Sequence, residues 1–244
     1  MKARLDKWLV HLSLGSRRDV QQMIRSGSVC VNGGTVRDPG SAWDTEKDTL
    51  RIGGRELDGR TERHVMLHKP AGILTAARDS RQPTVMDLLP PVYAGIGCMP
   101  VGRLDKDTTG LLLLTTDGQM NHLLLAPGRH VDKRYCTTVT GRLTEAEIER
   151  FAEGIALSDF TALPAELRIV SAGDAESAAE VTVREGKYHQ VRRMFSAVGH
   201  EVLRLHRASF GPLELDDGLA PGEWRELTGE ELARLRRAAG MEES

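Results

Sequence analysis

An α+β fold in two parts is predicted from three features of this 244-residue sequence. Segments with period-two alternation outnumber those with helical spacing. Turn dipeptides such as Asn32-Gly33 separate several of them, which favours hairpins and a mixed, mainly antiparallel sheet. The opening residues carry two short helical patterns followed by small strands, whereas the remainder alternates strands and helices. The expected division is residues 1–60 and 61–244.

In the first part, Leu5, Leu9 and Leu12 lie at helical spacing and mark a short helix that Gly15 ends. Ser16 caps a second helix, with Asp19 three residues on and Gly27 at its end. Met23 and Ile24 face inward there, and Arg17, Arg18 and Arg25 lie on the polar side. Val29 to Val31 is a strand turning at Asn32-Gly33. Leu50 to Ile52, Gly53-Gly54 and Arg55 to Leu57 form a strand, a turn and a strand. The polar stretch from Asp58 to Arg63 reads as a short linker.

In the second part, Val65 to His68 is a strand stopped by Lys69-Pro70. Thr84 to Leu89 is a short helix ended by Pro90-Pro91. Leu111 to Thr115 is a buried strand, followed by a turn at Asp117-Gly118. Arg134 to Thr140 alternates as a strand. Thr144 with Glu147 forms a capping box for a helix running to about Glu153. Glu166 to Val170, Glu180 to Arg184 and Glu201 to His206 are strands. Tyr188 to Val198 is a helix ended by Gly199. Thr228 with Glu231 caps the last helix.

Apolar residues make up 40% of the chain and charged residues 28%, as in ordinary globular domains. No apolar run is long enough to cross a bilayer, and the opening residues mix charge with apolar positions, unlike a secretion signal. Cys30, Cys98 and Cys136 are far apart and match no zinc spacing, so a reducing, cytoplasmic setting is expected. The net charge of −2 argues against a nucleic-acid binder, yet the average hides a pattern. From Met1 to Gly27 there are six Lys/Arg against two acidic residues. From Val181 to Phe210 there are again six against two. Two basic regions in a near-neutral chain suit local contact with a polyanion, although each also reads as an ordinary solvated face.

The run from Gly102 to Gly118, GRLDKDTTGLLLLTTDG, sets Asp105 on a polar loop directly before the apolar segment Leu111 to Leu114. An aspartate in a loop is commonly a turn or cap residue. Asp105 and Asp107 sit two positions apart, on the same side of the chain if the loop is extended rather than facing each other across one bond, which disfavours a paired-carboxylate glycosidase. A single working carboxylate suits nucleophilic or acid–base chemistry at a sugar carbon. Arg103 could pair with an acidic group or contact phosphate. Tyr135 opens a strand, where it could stack a base and offer a hydroxyl, or be a half-buried strand tyrosine. On the helix from Tyr188, Val191, Met194, Phe195 and Val198 form the apolar face. Arg192 lies about 100° from Val191 and borders the core, able to reach a carboxylate. Arg193 lies on the opposite side, toward solvent or phosphate. No Walker loop, GxGxxG segment or His/Cys cluster is present, so no cofactor or metal is expected.

The segment RLDKWLVHLSLGSRRDVQQMIRSGSVCVNG resembles the αL-type S4 RNA-binding domain. KPAG after the first strand of the second part, GRLDKDTTGLLLLTTDG, VDKRY, GKYHQVRRMF and LAPGEWRELT follow in the order found in pseudouridine synthases of the RsuA/RluB type, which the chain resembles over nearly its whole length. The LAPGEWRELT ending, without a long basic extension, favours the small-subunit RsuA branch. Lys106 after the aspartate is a departure that also occurs in large-subunit relatives.

The resemblance implies an RNA pseudouridine synthase, an isomerase that turns a uridine of rRNA, most readily 16S, into pseudouridine without cofactor. It makes Asp105 the catalytic carboxylate, as nucleophile or base, Tyr135 the aromatic at the target base and Arg192 the cation that pairs with Asp105. An opposite charge beside a carboxylate favours its ionised form, which a nucleophile needs. Substrate and RNA contacts are expected from Arg103, Lys69, Lys133, Gln190, Arg193 and Lys187, and from Arg17, Arg18 and Arg25 of the S4 module. A monomer working on rRNA, free or within an assembly intermediate, is expected. The alternatives are a 23S rRNA enzyme of the RluB/RluF type, a non-catalytic S4-domain ribosome-assembly protein, and a hydrolase of nucleosides or glycans. The last lacks a second placed carboxylate.

Overall fold

The computed structural model describes residues 2–45 and 47–241. The chain forms two compact units, Met1–Arg63 with Leu89–Met99, and His64–Leu88 with Pro100–Ser244. The boundary expected after residue 60 falls after Arg63, and a later segment returns to the first unit. Its return is explained by Ile96, which is buried in that unit's core.

The smaller unit runs β1 (Lys2–Arg4), α1 (Leu5–His11), α2 (Arg17–Arg25), β2 (Val29–Val31), β3 (Gly34–Val36), β4 (Ala42–Asp44), β5 (Leu50–Ile52) and β6 (Arg55–Leu57), with α3 (Pro91–Gly95) from the later segment. Ser16 and Asp19 form the expected capping box of α2. Asn32 and Gly33 have φ of 51° and 79°, the paired left-handed geometry of a two-residue hairpin. Strands order as β3-β2-β5-β6, and β1 pairs with β4. Leu5, Leu9, Leu12, Val20, Ile24, Val29, Trp43 and Leu50 make the core. Met23 is only half-buried, since Ile24 takes the inward position. Pro90-Pro91 does more than stop a helix: Pro91 is the first residue of α3, where its missing N–H costs nothing.

After β7 (His64–Lys69) and the short β8 (Met99–Pro100), the larger unit continues with β9 (Thr109–Thr115), α4 (Gly118–Leu125), β10 (Lys133–Thr140), α5 (Glu145–Glu153), β11 (Glu166–Ala172) and β12 (Glu176–Val183). It ends with α6 (Gln190–Ala197), β13 (Val202–Phe210), β14 (Leu213–Glu214), β15 (Trp224–Glu226) and α7 (Gly229–Ala238). Its sheet orders as β11-β12-β10-β13-β9-β7-β15, antiparallel except for the parallel β9–β13 pair. That pair needs close backbone approach at Gly110, whose φ is 106° and where a Cβ would stand 2.3 Å from the Arg207 carbonyl oxygen. On one face of the sheet, Met66, Leu111, Leu113 and Phe210 pack with Met120 and Leu124 of α4 and Leu235 of α7. Phe151 of α5 meets Phe195 of α6 at 4.9 Å between ring centroids.

Three elements differ from expectation. Asp117-Gly118 is not a bare turn: Asp117 Oδ1 accepts a bond from Met120 N at 2.9 Å and caps α4. The helix beginning at Tyr188 starts instead at Gln190, because His189 takes a left-handed φ of 49°. The segment Thr84 to Leu89 closes as a 3₁₀ turn over Val85–Leu88. Among the described residues no helix is long and apolar enough to cross a membrane.

Candidate active site

The loop carrying Asp105 leaves a bond from Val101 N to Leu113 O of 2.7 Å and enters β9, so both its ends are tied to the buried strand. Between them its backbone is clamped from below. Lys69, at the end of β7, is fully buried and donates through Nζ to the carbonyls of Pro70, Lys106 and Thr108 at 2.9, 3.0 and 2.9 Å. Gly72 N donates to the same Lys106 carbonyl at 2.9 Å. Thr75 Oγ1 donates to Leu104 O at 2.9 Å and accepts from Leu104 N at 3.3 Å. The KPAG turn is therefore a mould for the loop. Burial pulls the Lys69 ammonium down to about 8, against the attraction of Asp107 and Asp105.

With its backbone held, Asp105 presents its carboxylate to α6. His189 Nε2 lies 3.4 Å from Oδ1 and Arg192 Nε 3.7 Å from Oδ2. Arg192 is itself oriented by a bond from Nη1 to Val202 O of 3.0 Å. Tyr135, on β10 between β12 and β13, is buried and lines the same pocket as Asp105, Thr108, Leu205 and His189. The hydroxyl of Thr108, on that pocket wall, is buried without a hydrogen-bond partner among the described residues. A broader cleft of about 740 Å³ opens on Asp105 and is lined by Arg103, Lys106, Lys187, Tyr188 and His189.

The three residues expected at the chemical centre thus converge, and Arg192 borders the core as its helical position required. Arg103 is exposed at the cleft without a partner among the described residues, and Lys187 is exposed beside it, over the Phe160 ring at 5.8 Å. Four expected RNA contacts are placed otherwise. Lys69 is enclosed, as described. Lys133 is buried, donates to Val131 O at 2.6 Å and stands 5.3 Å from the Phe210 ring, and burial pulls its ammonium down to about 8. Gln190 is buried and braces the turn before α6: Nε2 donates to Glu185 at 3.0 Å, and Oε1 accepts from Lys187 N at 3.1 Å. Arg193 meets protein rather than open solvent, pairing with Asp159, bonding Ser158 Oγ at 3.2 Å and covering the Phe160 ring at 5.3 Å. In the smaller unit Arg17, Arg18 and Arg25 are exposed, with Arg17 3.8 Å from the buried Asp6 carboxylate.

Sequence reasoning passed over two participants. His189 stands in the GKYHQVRRMF motif, but only its left-handed backbone reveals that its ring turns to Asp105. Thr75 lies about thirty positions upstream of the loop, with no local pattern to single it out.

The family described as RNA pseudouridylate synthase matches residues 63–197, and the S4 domain matches residues 3–44. A ribosomal small subunit pseudouridine synthase A of Pseudomonas aeruginosa is 40% identical over 238 residues, covering 95% of this chain and 100% of that protein. A ribosomal large subunit pseudouridine synthase B of Bacillus subtilis is 36% identical over 239 residues, covering 97% and 96%. A crystal structure of a pseudouridylate synthase superposes with a TM-score of 0.66 at 35% identity, covering 95% and 99% of the two chains.

Proposed function

This chain, with an S4 domain ahead of the synthase fold, belongs to the RNA pseudouridine synthases, which are isomerases, and we propose that it converts one uridine of 16S rRNA to pseudouridine with Asp105 as the reacting carboxylate. The observation that carries the assignment is the single carboxylate held between His189 and Arg192 over a pocket walled by Tyr135.

The reaction breaks the N1–C1′ bond, turns the base and joins C5 to C1′. The proton leaves C5 and N1 gains one, so no electrons or water are consumed. Asp105 acts on the ribose, by attack at a sugar carbon or by taking a sugar proton. Both routes use the carboxylate itself, beside which Arg192 sets its guanidinium at 3.7 Å. The Lys69 and Thr75 clamps hold the carboxylate's backbone in advance of substrate, so little ordering remains at the moment of reaction. The uridine must leave its stack, at a cost of a few kcal/mol. Stacking on Tyr135 and phosphate contacts from Arg103 and Lys187 offset that cost. Arg17, Arg18 and Arg25 on one helix give the S4 module a cationic face for the same rRNA.

A 23S target is the second reading, favoured by Lys106 after Asp105 and by the identity with the large-subunit relative. The test is pseudouridine formation on 16S and 23S transcripts by wild type and Asp105→Asn. One 16S site, lost in the variant while RNA binding survives, is expected. Full activity of Asp105→Asn overturns the assignment of the carboxylate, and modification of 23S alone overturns the choice of subunit.

A further inference from the structure

The most exposed large apolar side chain among the described residues is Tyr188, at 72%. It stands beside the most confined chemistry in the molecule. Its ring lies on the His189 ring, centroids 3.9 Å apart and planes 15° apart. His189 in turn reaches Asp105 at 3.4 Å. One face of the tyrosine is thus covered, and the largely exposed ring lines the cleft shared by Arg103 and Lys187. His189 takes a left-handed φ of 49°, and the two successive rings stack beside Asp105. A spacing of 3.9 Å between flat rings is that of an aromatic stack, which a nucleobase extends from the open face.

The geometry points to Tyr188 as a stacking shelf for the nucleobase next to the target uridine, a substrate-positioning residue distinct from Tyr135 in the pocket. This rests on the proposed action on RNA. With the uridine drawn to Asp105, the neighbouring base leaves its own stack on one side. Tyr188 replaces that lost neighbour, while the cations of Arg103 and Lys187 hold the backbone between the two nucleotides. Because every base has a π-face, the shelf contributes affinity and placement without reading sequence by hydrogen bonds.

The test uses the full chain and a single-stranded RNA dodecamer with one uridine flanked by 2-aminopurine, alongside pseudouridine formation on the 16S transcript. Wild type and Tyr188→Phe should quench the 2-aminopurine fluorescence on binding. Tyr188→Ala should bind about 5- to 150-fold more weakly and quench little. Replacing the flanking base by an abasic site should weaken wild type by a similar factor and the alanine variant no further. On the transcript, Tyr188→Ala should raise KM more than it lowers kcat. Equal quenching by wild type and Tyr188→Ala, or additive losses in the abasic series, overturns the shelf. A fall in kcat at unchanged KM also overturns it, since Tyr188 would then merely buttress His189. Quenching as expected without pseudouridine formation on any rRNA transcript leaves the shelf standing and overturns the proposed reaction.

Discussion

Replacing Lys69 by methionine separates a mould from an RNA contact. The ammonium has no exposed surface and makes three bonds of 2.9 to 3.0 Å to loop carbonyls. Bonds to a charged donor are worth about 1.5–3 kcal/mol each. Burial of the charge offsets about 3 kcal/mol of that, as the fall from 10.5 to about 8 implies. Methionine fills a similar volume without a donor, so a net loss of about 1.5–6 kcal/mol of stability is expected. In a unit of this size that lowers Tm by roughly 3–24 °C. The larger consequence is kinetic: a carboxylate displaced by about 1 Å costs on the order of a hundredfold in rate. Single-turnover pseudouridine formation should therefore fall about a hundredfold in kcat, with KM and the salt slope of RNA binding unchanged. The pH dependence follows from the same burial. Between about 8 and 10.5 the unfolded chain holds the Lys69 proton and the folded chain has released it, so the stability contribution of this residue rises with pH across that window. The cation that grips the loop is lost over the same range. Wild-type kcat should fall above pH 8 without a parallel fall in Tm, and this limb should be missing in Lys69→Met. A variant with kcat within twofold of wild type, or with a raised KM and a flatter salt slope at unchanged kcat, would refute the clamp.

Three further outcomes are expected. Gly110→Ala forces a Cβ to within 2.3 Å of the Arg207 carbonyl oxygen at a φ of 106°, so thermal or denaturant unfolding should show a loss of at least about 3 kcal/mol; a loss under about 1 kcal/mol would mean the β9–β13 crossing relaxes freely. Arg17→Ala with Arg18→Ala should weaken rRNA binding and flatten its salt dependence by about one unit per lost phosphate contact, and an unchanged slope would leave those side chains facing solvent only. Tyr135→Ala should lose far more activity than Tyr135→Phe in the same transcript assay; equal, mild losses would remove the base-stacking role.

Elements with a strong local cause were legible in the sequence. The capping boxes at Ser16, Thr144 and Thr228, the Asn32-Gly33 turn and the buried run Leu111 to Leu114 all formed where their chemistry placed them. The placement of Arg192 followed from one step of helical rotation. What escaped depended on distant partners. A lysine after a strand reads as a surface cation, and only the fold shows that carbonyls from the 106–108 loop enclose Lys69. Arg193 reads as facing solvent or phosphate because Phe160 and Asp159, more than thirty positions away, give no sign of arriving there. Helix α4 was missed because Asp117-Gly118 satisfies the chemistry of a turn and of a helix cap alike. His189 was underread because its role follows from one left-handed backbone angle rather than from residue type.

The most direct measurement is chemical mapping of pseudouridine across 16S and 23S rRNA in cells with the gene, without it, and with Asp105→Asn in its place. The expected result is one 16S position that loses its pseudouridine without the gene and stays unmodified with Asp105→Asn. An unchanged map in the deleted strain, or a position restored in full by Asp105→Asn, would contradict the proposed reaction at this carboxylate.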